Sequence, residues 1–171
     1  MAKLNQRGFM QQLYIMRHGE ALYDAVDAKR SLSERGHAQA ADAAQWVADH
    51  AADRRVRLLV SPFKRAQQTA QYLSSALRVP IESQLWLTPD TPIIDAVTAW
   101  DTYWVASEDT HCWVWVSHMP LVGRIGHYLT ECVGGVEDFF DTAEVVCYHA
   151  DVWAAGCAIQ GQRYRPHRPH A

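Results

Sequence analysis

The chain has little of the chemistry that would fix its class at once. It has four cysteines among 171 residues, at positions 112, 132, 147 and 157, and none of them forms a C-x-x-C pair. This spacing favours reduced thiols packed as small apolar side chains over a disulfide framework. The net charge is only −3 and the body of the chain has no basic run, so the composition predicts no nucleic-acid partner.

Long apolar runs are also missing. No stretch approaches the roughly 20 apolar residues that cross a bilayer, and the segment 1–8 lacks the apolar centre of a signal peptide. We therefore expect no membrane partner and a cytoplasmic location. The chain does have 49% hydrophobic residues, which is typical of a globular domain. We predict a flexible lead-in at 1–10, one domain at 11–162 and a disordered tail at 163–171.

Short apolar runs alternate with helical patterns along the chain. The runs predict buried strands at 13–16, 56–60, 79–81 and 113–117, followed by an antiparallel pair at 143–148 and 152–159. The helical patterns lie at 34–51, 63–77, 93–107 and 121–132. Ser33 is the predicted N-cap of the first helix. The alternation predicts an α/β fold, a three-layer α/β/α sandwich with a mostly parallel central sheet and one antiparallel edge.

Polar side chains follow three of the predicted strands. The strands end at Arg17-His18, at Ser61 with Arg65 just beyond, and at Ser117-His118. Ligands of such sheets bind beyond the carboxyl ends of the strands. Two arginine forks and two histidines at that edge would form a pocket for a phosphoryl group, whose transfer needs mainly positioning and electrostatic stabilisation.

The histidines have different predicted roles. A neutral imidazole is a competent nucleophile at pH 7, and His18 precedes Gly19, whose carbonyl could fix the ring tautomer. His118 lies at the start of a helix, where an anion is favoured, and is expected to bind phosphate. Gly19 and Met119, the neighbours of these histidines, are also expected to line the phosphate site.

Three simpler interpretations compete with this site. Taken alone, R-H-G is weak evidence, because a histidine at a strand end often has a purely structural role. Nine histidines are present, but no H-x-x-x-H or H-E-x-x-H pair lies on a helix, so we predict no metal and no cofactor. The tryptophans are expected to fill the core rather than to form a stacking platform, and they include Trp100, Trp104, Trp113, Trp115 and Trp153.

Four segments together resemble the histidine phosphatase (phosphoglycerate mutase-like) superfamily. R-H-G-E-A at 17–21 resembles its signature, and L-S-E-R-G-H-A-Q-A at 32–40 resembles its helix entry. S-P-F-K-R-A-Q-Q-T-A at 61–70 is similar to the segment with the second arginine, and V-S-H-M-P-L-V-G at 116–123 to that with the second histidine. The residues of these motifs and the short chain, without a large cap insertion, resemble the small SixA-type phosphohistidine phosphatase branch.

The resemblance implies a function. It makes His18 the phosphorylated nucleophile and places Arg17, Arg65 and His118 around it. It implies a hydrolase in signal transduction that removes phosphate from phosphohistidine on a histidine phosphotransfer protein. Larger relatives carry a glutamate as general acid, but Trp86 is the nearest matching position here. Asp90 and Glu20 are the candidate acids, and a nitrogen leaving group would need less help from an acid.

Two other functions stay open at this point. One is a small-molecule phosphomonoesterase, which a panel of phosphohistidine, sugar phosphates and nucleotides would distinguish. The other is a phosphate- or phosphoprotein-binding module without turnover, which the missing glutamate motivates. Turnover that disappears in His18→Ala would exclude the binding module.

Overall fold

The structure is a computed structural model that describes residues 10–51, 55–106, 110–131 and 138–167. The strands in this part of the chain are β1 (Gln11–Arg17), β2 (Val56–Val60), β3 (Ile81–Ser83), β4 (Cys112–Ser117), β5 (Val145–Ala150) and β6 (Ile159–Tyr164). The α-helices are α1 (Glu34–His50), α2 (Lys64–Leu77), α3 (Ile93–Val105) and α4 (Leu121–Thr130). Single 3-10 turns lie at Asp27–Lys29 and Leu85–Leu87.

The strands form one sheet in the order β3-β2-β4-β1-β5-β6. The pairs β2/β3, β2/β4 and β1/β4 are parallel, whereas β5 runs antiparallel to both β1 and β6. This confirms the predicted mostly parallel sheet with an antiparallel edge. It also places the carboxyl ends of β1, β2 and β4 at one edge, as the strand-end argument requires.

Helices cover both faces of the sheet. Leu13 and Ile15 of β1 pack in a cluster with α3 and α4, whereas Tyr14 and Met16 pack in a second cluster with α1 and α2. Because alternate side chains of β1 are buried on opposite faces, the strand is a continuous apolar run rather than an alternating one. The predicted α/β/α layering is therefore correct.

The start of α1 follows from two residues of the predicted helix entry. The Ser33 hydroxyl accepts a hydrogen bond from the Gly36 N–H at 3.0 Å, which confirms Ser33 as the N-cap. Gly36 lies so close to the loop after β1 that a Cβ atom there would be 2.0 Å from the Glu20 carbonyl oxygen. A glycine at this position lets the helix begin directly against the loop that follows R-H-G.

The tryptophans pack in the core, as predicted. Trp100, Trp113, Trp115 and Trp153 are all buried, and Trp104 packs against them partly exposed. The Trp100 ring lies nearly perpendicular to those of Trp113 and Trp115, with centroids 4.7 Å apart in each pair. Edge-to-face pairs of this kind stabilise a core beyond the area they bury.

The antiparallel edge differs from the prediction. β5 begins at Val145 rather than at 143, and β6 spans Ile159–Tyr164 instead of 152–159. The segment 152–158 instead crosses the end of α4, where the Gly156 and Ala158 N–H groups donate to the carbonyls of Tyr128 and Leu129. Its apolar side chains pack against α4, which explains why the pattern was misread as a strand.

The predicted tail also begins too early, because residues 163 and 164 end β6. Residues 1–9 and 168–171, Cys132 and the Gly-Gly pair at 134–135 lie outside the described residues. The other three cysteines are free thiols. Within the described residues, every helix is too short or too polar to span a bilayer.

Candidate active site

Three strand ends bring the predicted residues together. Arg17 is the last residue of β1, His18 follows it, and His118 follows β4. The His18 N–H donates to the carbonyl of Ser117 at 3.0 Å, so the sheet ladder continues up to the site itself. Arg65 comes from the first turn of α2, which begins just after β2. The placement inferred from the sequence is therefore the one observed.

The ring of His18 has a defined tautomer. Its Nδ1 lies 2.7 Å from the Gly19 carbonyl oxygen, which can only accept, so Nδ1 carries the proton. Nε2 then has a lone pair, and it accepts from the Arg65 Nε–H at 3.0 Å. Burial, and then the nearby Arg65 and Arg17, lower the His18 pKa to about 3, against the opposing effect of the Gly19 carbonyl. At neutral pH His18 is an uncharged imidazole with Nε2 facing the arginines.

His118 lies beside His18, with ring centroids 4.9 Å apart. Its Nε2 is 2.7 Å from the Ser61 hydroxyl, which also accepts from the Phe63 N–H at 3.3 Å. No other described contact offers an acceptor to the Ser61 hydrogen, so we assign that hydrogen to Nε2, which leaves the imidazole proton on Nδ1. Burial, then His18 and the two arginines, lower the His118 pKa to about 2. His118 is thus a neutral N–H donor.

The arginines are held from outside the pocket. The Arg17 Nη1–H donates to the Phe140 carbonyl at 2.7 Å, and burial lowers the Arg17 pKa below its ordinary value. Arg65 is 4% exposed and lies 5.2 Å from the centroid of the Phe63 ring. Among the described residues, Arg17 Nε and His118 Nδ1 are buried donors that have no hydrogen-bond partner. An anion between them would satisfy both donors.

Gly19 and Met119 make other contacts in the structure, and their contacts with phosphate stay a prediction. The Gly19 N–H donates to the Thr69 hydroxyl at 3.1 Å, and its carbonyl accepts from His18. Both polar groups of Gly19 are thereby used, one of them in orienting the His18 ring. Met119 is half-buried and packs against the core cluster of α3 and α4, so it contributes an apolar wall.

Neither candidate general acid is brought to His18. The Glu20 carboxylate accepts from the Ser33 hydroxyl at 2.8 Å and from Arg35 at 3.1 Å, which turns it toward the start of α1. Asp90 lies in an exposed turn, and among the described contacts it makes none with the four site residues. Trp86 donates to the Gln84 side chain, so it offers no acid either.

Sequence reasoning missed one carboxylate that does reach the site. Asp27, in the loop between β1 and α1, accepts from Arg65 through both its backbone oxygen and its side chain. Its only sequence signal is an acidic side chain in the loop after R-H-G, which does not specify a contact. Among the described residues no group of three or more His, Cys, Asp or Glu side chains could hold a metal ion.

The comparisons with known proteins agree with this geometry. Residues 13–87 match the model of the histidine phosphatase superfamily (branch 1). The chain is 33% identical over 146 residues to the phosphohistidine phosphatase SixA of Escherichia coli K12, covering 82% of this chain and 86% of that protein. It is 34% identical over 125 residues to the SixA homolog of Haemophilus influenzae, covering 66% of this chain and 73% of that protein.

A solved structure gives the same result for the fold. The protein histidine phosphatase SixA complexed with tungstate superposes with a TM-score of 0.75 and 29% identity, covering 89% of this chain and 95% of that one. The sheet order, the R-H-G strand end and the two sequence relatives lead to one conclusion. The chain belongs to the histidine phosphatase superfamily, and it is a phosphatase of the SixA type.

Proposed function

We propose that this chain removes phosphate from phosphohistidine on a protein through a phosphohistidine intermediate on His18. One observation carries the proposal. The Nε2 lone pair of a neutral His18 faces the Arg65 guanidinium, while Nδ1 is bound to the Gly19 carbonyl. An imidazole in this state can attack phosphorus at neutral pH once the Arg65 Nε–H turns from Nε2 to a phosphoryl oxygen.

The proposed reaction has two displacements. In the first, His18 Nε2 forms a bond to phosphorus, the substrate P–N bond breaks, and the leaving imidazole nitrogen takes a proton from solvent water. In the second, water attacks the phosphoryl group on His18, which releases phosphate and restores Nε2. Arg17 and Arg65 bind the phosphoryl oxygens, and the His118 Nδ1–H donates to them.

The surroundings of the pocket favour a phosphohistidine substrate. Because neither Glu20 nor Asp90 contacts the site, a labile P–N bond suits it better than an unactivated ester. The two curated relatives are named phosphohistidine phosphatases. We infer that the partner is a protein such as a histidine phosphotransfer domain, and that the enzyme acts in the cytoplasm.

Exposed apolar side chains support a protein substrate. Phe139 is 61% exposed, with its ring 5.8 Å from the Arg17 guanidinium carbon, and Val26 is 49% exposed beside Asp27. Both flank charged groups of the site. Apolar side chains around a mouth of this kind favour contact with another protein surface.

The test is to mix the enzyme with a phosphohistidine protein, quench in alkali, and look for phosphate on His18 by mass spectrometry. His18→Ala should lose at least about 10³-fold in kcat, whereas the exposed His167→Ala should match the wild-type chain. Hydrolysis retained in His18→Ala contradicts the mechanism. A higher kcat/KM on a sugar phosphate or a nucleotide would assign the site to small esters instead.

A further inference from the structure

Asp27 accepts hydrogen bonds from both terminal nitrogens of the Arg65 guanidinium. The Arg65 Nη1–H donates to the Asp27 backbone oxygen at 2.7 Å, and the Nη2–H donates to Oδ2 at 3.0 Å. A backbone and a side-chain oxygen of one residue thus occupy both terminal nitrogens. Two acceptors on a planar fork fix its rotation as well as its position.

The remaining edge of Arg65 faces the nucleophile. A guanidinium has five N–H donors, and Nε–H points along the same edge as one Nη2–H. The Nε–H already donates to His18 Nε2 at 3.0 Å. A phosphoryl group bonded to His18 Nε2 would therefore meet this edge, while the opposite end stays with Asp27.

Asp27 also supplies a negative charge beside the buried Arg65. Arg65 is 4% exposed, whereas the Asp27 side chain is 54% exposed and accepts from Arg30 through Oδ1 at 3.2 Å. Partial burial raises the Asp27 pKa, but the hydrogen bonds from Arg65 and Arg30 outweigh it and hold the pKa below its ordinary value. The carboxylate is charged at neutral pH.

Arg30 holds the loop that carries Asp27. Its Nε–H donates to the Leu22 carbonyl at 2.9 Å, and the Leu22 N–H donates to the Ser31 carbonyl at 2.8 Å. These hydrogen bonds join the two ends of the loop, and the Asp27–Arg65 contact joins the loop to α2. Asp27 is thus a fixed acceptor rather than a side chain that happens to lie nearby.

We propose that Asp27 is a positioning residue that holds Arg65 with its Nε edge toward the phosphoryl group on His18. The inference rests on the proposed role of His18 as phosphoryl acceptor. The same contacts allow two other roles. Asp27 could be an internal anion that competes with phosphate for Arg65, or it could transfer a proton during the reaction, and each role predicts a different change in anion binding.

The experiment measures tungstate binding by calorimetry and phosphohistidine hydrolysis for the wild-type chain, Asp27→Asn and Asp27→Ala. Asp24→Asn is the matched control, because it removes a charge from the same loop and its amide oxygen can still accept from the Val26 N–H. Misplacing a binding group by about 1 Å costs about 100-fold. We expect both Asp27 variants to raise the tungstate Kd and to lower kcat/KM by about 10- to 100-fold, and the control to change neither.

The Arg65 Nε–H resonance gives a readout that a loss of fold would not mimic. In the wild-type chain it should be a protected, downfield signal, because it donates to His18, and in Asp27→Ala it should broaden while the core amide signals stay.

A tungstate Kd that falls in the Asp27 variants would show a competing anion, and an unchanged Kd with lost turnover would show proton transfer. Either result overturns the positioning role. Tungstate needs no phosphohistidine, so a different natural substrate leaves this result intact, whereas no binding to the wild-type chain contradicts the phosphate site itself.

Discussion

The two parts of the sheet serve the site in different ways. The parallel part, β3-β2-β4-β1, positions the four candidate site residues. Arg17 ends β1 and His18 follows it, Arg65 lies in the first turn of α2 after β2, and His118 follows β4. The antiparallel part holds those residues from behind. The Arg17 N–H donates to the Glu144 carbonyl at 3.1 Å, and the His18 carbonyl accepts from the Ala143 N–H at 3.0 Å.

Glu144 is the centre of this support. Its side chain is 2% exposed, and one oxygen accepts from Arg163 at 3.1 Å and from Arg165 at 3.0 Å. The other oxygen accepts from the Asp141 N–H at 2.7 Å. A buried carboxylate thus joins β6 to the segment behind Arg17. Changes in the parallel part should therefore reduce catalysis first, and changes in the antiparallel part should reduce stability first.

Glu144→Ala should give the largest effect. Removal of this carboxylate takes the acceptor from the Asp141 N–H and leaves Arg163 with Asp138 as its ionic partner, which should lower the free energy of unfolding by about 2–3 kcal/mol. Urea unfolding should show that loss, while kcat of the remaining folded protein stays close to the wild-type value. Glu144→Gln keeps an acceptor and should lose less. A fully stable Glu144→Ala chain with lost turnover would break the contrast between the two parts.

Arg65→Lys tests the parallel part. Lysine keeps the charge but loses the fork that spans His18 and Asp27. We expect kcat/KM to fall by about 100-fold, with a smaller loss in the free energy of unfolding than Glu144→Ala shows. Steady-state kinetics and urea unfolding of the same preparation measure both quantities. A loss in the free energy of unfolding as large as that of Glu144→Ala would contradict the expectation that the parallel part serves catalysis more than stability.

The parallel part was also the easier one to predict. Its strands β1, β2 and β4 bury apolar side chains on both faces, and each of these runs ends at a polar motif. The edge strand β3 is only half-buried, and it lies at Ile81–Ser83 rather than at the predicted 79–81. The strand at 56–60 and the entry of α1 after Ser33 were correct to the residue. The four site residues followed from those ends, because parallel strands bring their carboxyl ends to one edge.

The antiparallel part gave no such signal. β6 is an exposed edge strand of polar residues, and the apolar residues before it pack on α4. The partners of Asp27 and Glu144 were equally hidden, because a carboxylate in a loop does not specify which distant arginine it meets. Propensity and periodicity describe local structure, whereas these contacts depend on tertiary packing.

The pH dependence of stability tests the parallel part through its two buried histidines. The native pKa values of His18 and His118 are lowered to about 3 and about 2, mainly by burial. Between those values and about 6.5, the unfolded chain binds protons that the native chain does not. The contribution of the two histidines to the free energy of unfolding should therefore be fully present above about pH 6.5. It should fall as the pH drops, by up to about 1.4 kcal/mol per pH unit for each histidine.

Urea unfolding at pH 7, 6 and 5 measures that slope. His118→Asn should make it shallower by the contribution of one histidine, and the exposed His167→Asn serves as the control. Carboxylates elsewhere titrate equally in all three proteins, so the difference between slopes isolates His118. An unchanged slope in His118→Asn would mean that His118 binds a proton equally well in the native and the unfolded chain, which would contradict the lowered pKa of the buried ring.

Ser61→Ala should have the smallest effect, and it tests how finely the parallel part is tuned. The Ser61 hydroxyl bonds His118 Nε2 at 2.7 Å and thereby directs the imidazole proton to Nδ1. Losing one neutral hydrogen bond is worth about 1 kcal/mol, or about fivefold in kcat/KM. Nitrogen NMR should show His118 shifting toward the Nε2–H tautomer, with the His18 signals unchanged. If His118 keeps its tautomer while activity falls, Ser61 supports the strand end rather than the proton on Nδ1.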